Sequence, residues 1–164
     1  MQFNDLYCLK HPEVHTLSVG ASRPSDFDAH VEVLAFYDTM AQTLQPIEAR
    51  IRVEMERCLG AAWVAGWWKG LPEHMEVPGD INLLEILRIW TYASSLDLIK
   101  WGQSRYNLLG SGDHWQPGRK AGMVDLVALA SALHNSPFAD RIPALLQEAE
   151  ALLGGEAQKR QSES

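Results

Sequence analysis

Histidine, cysteine, tyrosine and paired acids are the residues from which chemistry is usually built, and this chain spreads them thinly. The six histidines, His11, His15, His30, His74, His114 and His134, are scattered along 164 residues and form no metal-ligand pattern on any one helix. The spacing therefore predicts no metal site. Two cysteines, Cys8 and Cys58, supply neither a disulfide framework nor a four-thiolate cluster, and such sparse usage fits a reducing cytoplasm. The densest polar group is Asp113-His114-Trp115, set between Gly110-Ser111-Gly112 and Pro117-Gly118. Loops of this composition serve as structural corners more often than as covers for a cofactor or substrate mouth. Tyr106 beside Arg105, and Tyr92, have no accompanying lysine and histidine set to make a tyrosine a proton donor, and read as core or interface aromatics. No catalytic residue is expected within the chain.

The elements that position these residues are mostly helical. Pro78-Gly79-Asp80 opens a helix with Leu83, Leu84, Leu87, Trp90 and Thr91 on one face, and Asp80 suits its N-cap. Ser94 with Asp97 reads as a capping box starting a second helix, so two helices meet near Ser95. This pair is the hub on which the rest packs, and all six tryptophans lie between Trp63 and Trp115 around it. Upstream, Phe3 to Leu9 reads as the last turns of a helix, ending at His11-Pro12. Val14 to Val19 (VHTLSV) reads as a strand, and Pro24 as the first residue of a helix that buries Phe27, Val31, Leu34, Ala35 and Met40. Pro46 starts an amphipathic helix with Ile47, Ile51, Met55 and Leu59 inward. Ala61 to Gly70 is a Trp-rich helix and Met123 to Leu133 a small apolar one. Pro143 opens the last helix, whose inward residues are Leu145, Leu146, Ala149 and Leu152-Leu153. The polar end, 155–164, reads as a disordered tail.

The net charge of −7 excludes a basic nucleic-acid or anionic-membrane surface. No apolar run approaches a bilayer span, and MQFNDLYCLK lacks a signal-peptide layout. A lone strand is the anomaly. Its unpaired backbone groups cost about 1–3 kcal/mol each when buried, so VHTLSV needs a partner from another chain or from residues upstream of Met1.

The segment LYCLKHPEVHTLSVGASRPSDFDAHVEVL is similar to the closing strand–loop–helix of aldo/keto reductases. The remainder resembles the helical, ferredoxin-like extension of one branch of that superfamily, through LPEHMEVPGDINLLEILRIWTYA, SRYNLLGSGDHWQPG and SPFADRIPALLQEAEALL. The resemblance implies a mostly α chain: residues 1–45 as the last βα unit of a TIM-type α/β barrel, and 46–154 as a helical extension. The first and last extension segments look like cluster motifs whose cysteines have been replaced, so no iron–sulfur cluster is expected.

In such enzymes the loop after the closing strand grips the adenosine-phosphate end of NADP(H). The resemblance places Gly20, Ala21, Ser22 and Arg23 in that loop, Asp26 where the family often has Gln or Arg, and His30 where it usually has Asn. Backbone N–H groups at a helix start, with Ser22 and Arg23, suit a phosphate, whereas the Asp26 carboxylate repels one. The family's catalytic Asp, Tyr, Lys and His belong to earlier strands, outside this chain. Two functions follow as expectations. One is the C-terminal part of an NADP-dependent oxidoreductase that reduces a small carbonyl substrate, not catalytic on its own. The other is a non-catalytic helical module that binds a protein partner or itself.

Overall fold

The computed structural model describes residues 2–111, 116–122 and 125–156, with the side chain of Leu126 excepted. Among the described residues eight α-helices follow in order: α1 (Gln2–Leu9), α2 (Asp26–Glu32), α3 (Met40–Leu59), α4 (Ala61–Val64), α5 (Leu83–Ser95), α6 (Ile99–Tyr106), α7 (Leu126–Ala132) and α8 (Ile142–Leu153). Two 3-10 segments, Val33–Thr39 and His74–Glu76, complete the set. The chain is mostly α, as expected. Among the described residues there is no strand, and the one β-type pairing is an isolated parallel bridge between Ile81 and Arg119. Two compact units divide within α3, Met1–Val53 and Glu54–Ser164.

In the first unit the expected βα pattern is only partly realised. Val14–Val19 is not a strand: it runs without turn or bend, and residues 15–21 make no backbone–backbone hydrogen bond among the described residues. The β-formers are present, but a strand exists only where a neighbour completes its ladder. The following helix starts at Asp26 rather than Pro24, and tightens to 3-10 geometry at Val33. That change of pitch turns Val33 inward, beside Leu6 and Leu44, with Phe3, Leu9 and Met40 around them. Phe27, Val31 and Leu34, expected to be buried, are 48%, 64% and 59% exposed. The periodicity was real, but nothing in 1–53 covers that face.

α3 begins before Pro46 instead of at it, so the proline lies inside the helix. The carbonyl that would have accepted its missing N–H belongs to Gln42, an exposed residue, so the lost bond falls on the solvent side of the helix. From there the expected inward stripe holds, with Met55 buried and Ile47, Ile51 and Leu59 half-buried.

In the second unit the hub is found where the spacing put it, with different ends. The N-cap of α5 is Asn82, whose Oδ1 accepts from the Glu85 N–H at 2.9 Å, not Asp80. Asp80 instead takes a left-handed φ of 56° and gives its carbonyl to the Arg119 N–H at 2.8 Å. Asn82 also donates from Nδ2 to the Pro117 carbonyl at 2.8 Å. The returning loop at 117–119 thus fixes the helix start. No capping box forms at Ser94 and Asp97. α5 runs through Ser95, whose hydroxyl bonds back to the Thr91 carbonyl at 2.6 Å, and Asp97 turns the chain at φ 54° into α6. Downstream, Asp125 caps α7, and Pro143 sits in the first turn of α8. Leu145, Leu146, Ala149 and Leu153 are buried as expected, while Leu152 is exposed.

α5, α6 and α8 pack on one another closely enough to require a glycine. A Cβ at Gly102 would lie 2.9 Å from Ala93 Cβ on α5 and 2.9 Å from Leu153 Cδ2 on α8. Trp63, Trp67 and Trp90 join the leucines and isoleucines of α5 and α8 in a single core. The Trp63 ring meets Trp90 and Phe138 edge-on, and its Nε1–H donates to Thr91 Oγ1 at 3.0 Å. Arg141 lies over the same ring, 4.7 Å from its centroid. The buried indole N–H is therefore satisfied, and Thr91 is a fully buried polar residue with a reason to be there.

Candidate functional site

Of the residues singled out by their resemblance to a phosphate loop, Ser22 and Arg23 come together around Asp26. Its Oδ2 accepts from the backbone N–H of Ser22 at 3.1 Å and of Arg23 at 3.0 Å. Its Oδ1 is 3.2 Å from Arg23 Nη2. Two consecutive N–H groups and a guanidinium thus converge on one carboxylate, which is the donor set an anionic oxygen wants. The donor set is already filled by the chain's own side chain. Gly20 leaves open space where a Cβ would stand, and its φ lies outside the left-handed region, so this turn does not demand glycine.

His30 is not part of that arrangement. Its Nδ1 lies 2.6 Å from Asp5 Oδ2 on α1, with the two side chains 13% and 12% exposed. Its Nε2 is buried and has no hydrogen-bond partner among the described residues. The pair ties α2 to α1 at one wall of a groove of about 270 Å³, lined mainly by Leu9, Leu17, Val19, Phe27, Val31 and Leu34. Asp5 had no signal in the sequence. It lies twenty-five residues from His30, and helical spacing says nothing about partners at that separation.

In the second unit Tyr106 is a core residue, as expected, with a specific task. Its hydroxyl donates to Glu150 Oε2 at 2.6 Å and accepts from the Ala121 N–H at 3.2 Å. Burial above all, then the bond to Glu150, raises its pKa well above the ordinary tyrosine value. A hydroxyl held this firmly protonated joins α6 to α8 and is not poised to give up a proton. Asn107 and Lys120 finish the same corner, bonding the carbonyls of Leu153 and Gly155 at 2.8 and 3.1 Å.

No group of three or more metal-ligating side chains occurs among the described residues. Cys8 and Cys58 are both exposed. The Asp113-His114-Trp115 cluster and the tail beyond Glu156 lie outside the described residues. A larger cavity, about 600 Å³, borders the hub loops, with His74, Asp80, Ser111 and Arg119 among its lining residues. No described helix is long and apolar enough to cross a membrane. Comparison of the chain with protein-family models, with curated proteins and with solved structures finds no match.

Proposed function

We propose that this chain is the C-terminal part of a cytoplasmic, NADP-dependent oxidoreductase resembling the aldo/keto reductases, and that it is not catalytic on its own. In that reading a hydride passes between the nicotinamide and a carbonyl carbon at groups outside this chain. Residues 20–23 contribute to the hold on the adenosine phosphate, and the helical unit caps the barrel. The observation that carries it is the loop at Ser22 and Arg23, whose N–H groups and guanidinium are aimed at a single carboxylate. The fit to a phosphate is conditional: with Asp26 in place the donors are taken, and a phosphate enters only when that carboxylate swings away. His30, turned to Asp5, contributes nothing to the anion grip.

The test is amide-resolved NMR with adenosine 2′,5′-bisphosphate as probe. The wild-type chain is expected to show small shifts at Ser22 and Arg23, and Asp26→Asn, which removes the competing charge, to bind about tenfold or more tightly at the same amides. Absence of shifts at those amides in both proteins at millimolar probe sinks the phosphate reading. The second reading, a non-catalytic binding module, is favoured by one observation: Phe27, Val31, Leu34, Phe36 and Tyr37 are all exposed on one short stretch of chain.

A further inference from the structure

We propose that the Val14–Ser22 segment is a self-complementary edge on which two copies of this chain pair, antiparallel, about a two-fold axis at Ser18. This does not rest on the oxidoreductase reading, and it concerns the chain when no other sheet is supplied to that edge. Three observations meet here. First, the backbone makes no turn or bend from Val14 to Ala21, and residues 15–21 have no backbone–backbone hydrogen bond among the described residues, which leaves that stretch available to a partner strand. Second, natural edges are guarded by charge or proline, and residues 14–22 contain neither. In a chain of net charge −7, such a neutral run lets two copies approach without local repulsion.

Third, the charges at its ends select the partner and its direction. Glu13 precedes the neutral run and Arg23 follows it. Both are exposed, and the Arg23 side chain is 78% accessible although one of its nitrogens lies on Asp26. Antiparallel pairing centred on Ser18 sets Glu13 of one copy across from Arg23 of the other at both ends. Parallel pairing would set like charges together. An isologous two-fold contact closes with two copies, and the apolar groove beside the segment, walled by Phe27 and Val31, is brought to the same interface.

The experiment is analytical ultracentrifugation of the full chain with amide-resolved hydrogen exchange. A monomer–dimer equilibrium is expected, with alternate amides between 14 and 22 slowed at least tenfold in the dimer. Arg23→Glu should weaken the dimer by about tenfold, since two attractive contacts become repulsive ones. The double variant Glu13→Arg, Arg23→Glu should restore it, which shows that the loss was pairing and not misfolding. A monomer at all concentrations up to the millimolar range overturns the proposal. So does a dimer whose 14–22 amides exchange as in the monomer, or a double variant no tighter than the single. The dimer is read without nucleotide and the bisphosphate test does not use the Arg23 variants, so either idea can fail while the other stands.

Discussion

Tyr106→Phe removes a single oxygen from the middle of the second unit and leaves the ring's volume in place, so packing is conserved while two hydrogen bonds are lost. The hydroxyl donates to the Glu150 carboxylate at 2.6 Å and accepts from the buried Ala121 N–H at 3.2 Å. A bond to a charged acceptor contributes about 1.5–3 kcal/mol, and an N–H left buried without an acceptor costs about 1–3 kcal/mol. The two overlap on one atom, so the expected loss at neutral pH is about 3 kcal/mol.

The pH dependence is a sharper check. Burial, followed by the bond to Glu150, keeps the folded-state hydroxyl protonated well above the ordinary value of 10.0. Above that pH the unfolded tyrosine releases its proton while the folded one retains it, so the unfolded state binds fewer protons and stability falls. The slope is about 1.4 kcal/mol per pH unit, and below pH 10 this group adds no slope. The wild-type advantage over the Phe variant should therefore be constant from neutral pH to about pH 10 and vanish near about pH 12. Urea unfolding followed by tryptophan fluorescence reads this unit alone, because all six tryptophans lie in 54–164. A neutral-pH difference below about 1 kcal/mol, or one that does not shrink above pH 10, refutes the account of Tyr106 as a protonated tie.

Two other outcomes follow from the packing and the inventory of ligands. Gly102→Ala places a methyl 2.9 Å from both Ala93 Cβ and Leu153 Cδ2, and should destabilise the second unit by about 1–3 kcal/mol in the same urea assay, whereas an unchanged midpoint would mean the helices separate freely. The purified chain should carry no stoichiometric iron and no broad visible absorption, measured by metal analysis and spectrophotometry; a cluster signal would contradict the reading of replaced cysteines.

The parts of the fold that were legible in the sequence are those fixed by local, repeating contacts. α8 follows from Pro143 and a stripe of Leu145, Leu146, Ala149 and Leu153, and the stripe of α3 from Ile47, Ile51, Met55 and Leu59. Helix ends were less so, because distant chain decides them. Asn82 displaces Asp80 as the cap of α5 only because the 117–119 loop returns to bond it. Among the phosphate-loop residues the sequence could say only that Asp26 repels a phosphate, not that it occupies the N–H groups of Ser22 and Arg23 itself, nor that His30 turns to Asp5. The Asp5–His30 and Tyr106–Glu150 pairs join residues far apart in the chain, and neither carries a periodic signal. Phe27, Val31 and Leu34 show the reverse case. Their spacing marked an apolar face truthfully, and burial was inferred from it, although burial also needs something to lie against.

That last distinction separates the two units physically. Among the described residues, 54–164 enclose a core cluster of twenty buried side chains, while 1–53 enclose one of three. By that comparison the larger unit has the core to hold its own structure, whereas the smaller one leaves Phe27, Val31 and Leu34 exposed and residues 15–21 without a backbone–backbone hydrogen bond among the described residues. Substitutions on that exposed face should change association and first-unit stability together, while substitutions around Trp63 or Gly102 should change the stability of the second unit alone. Under the proposed pairing, recognition lies in the short, under-packed unit, and the tryptophan-rich unit keeps its core without it.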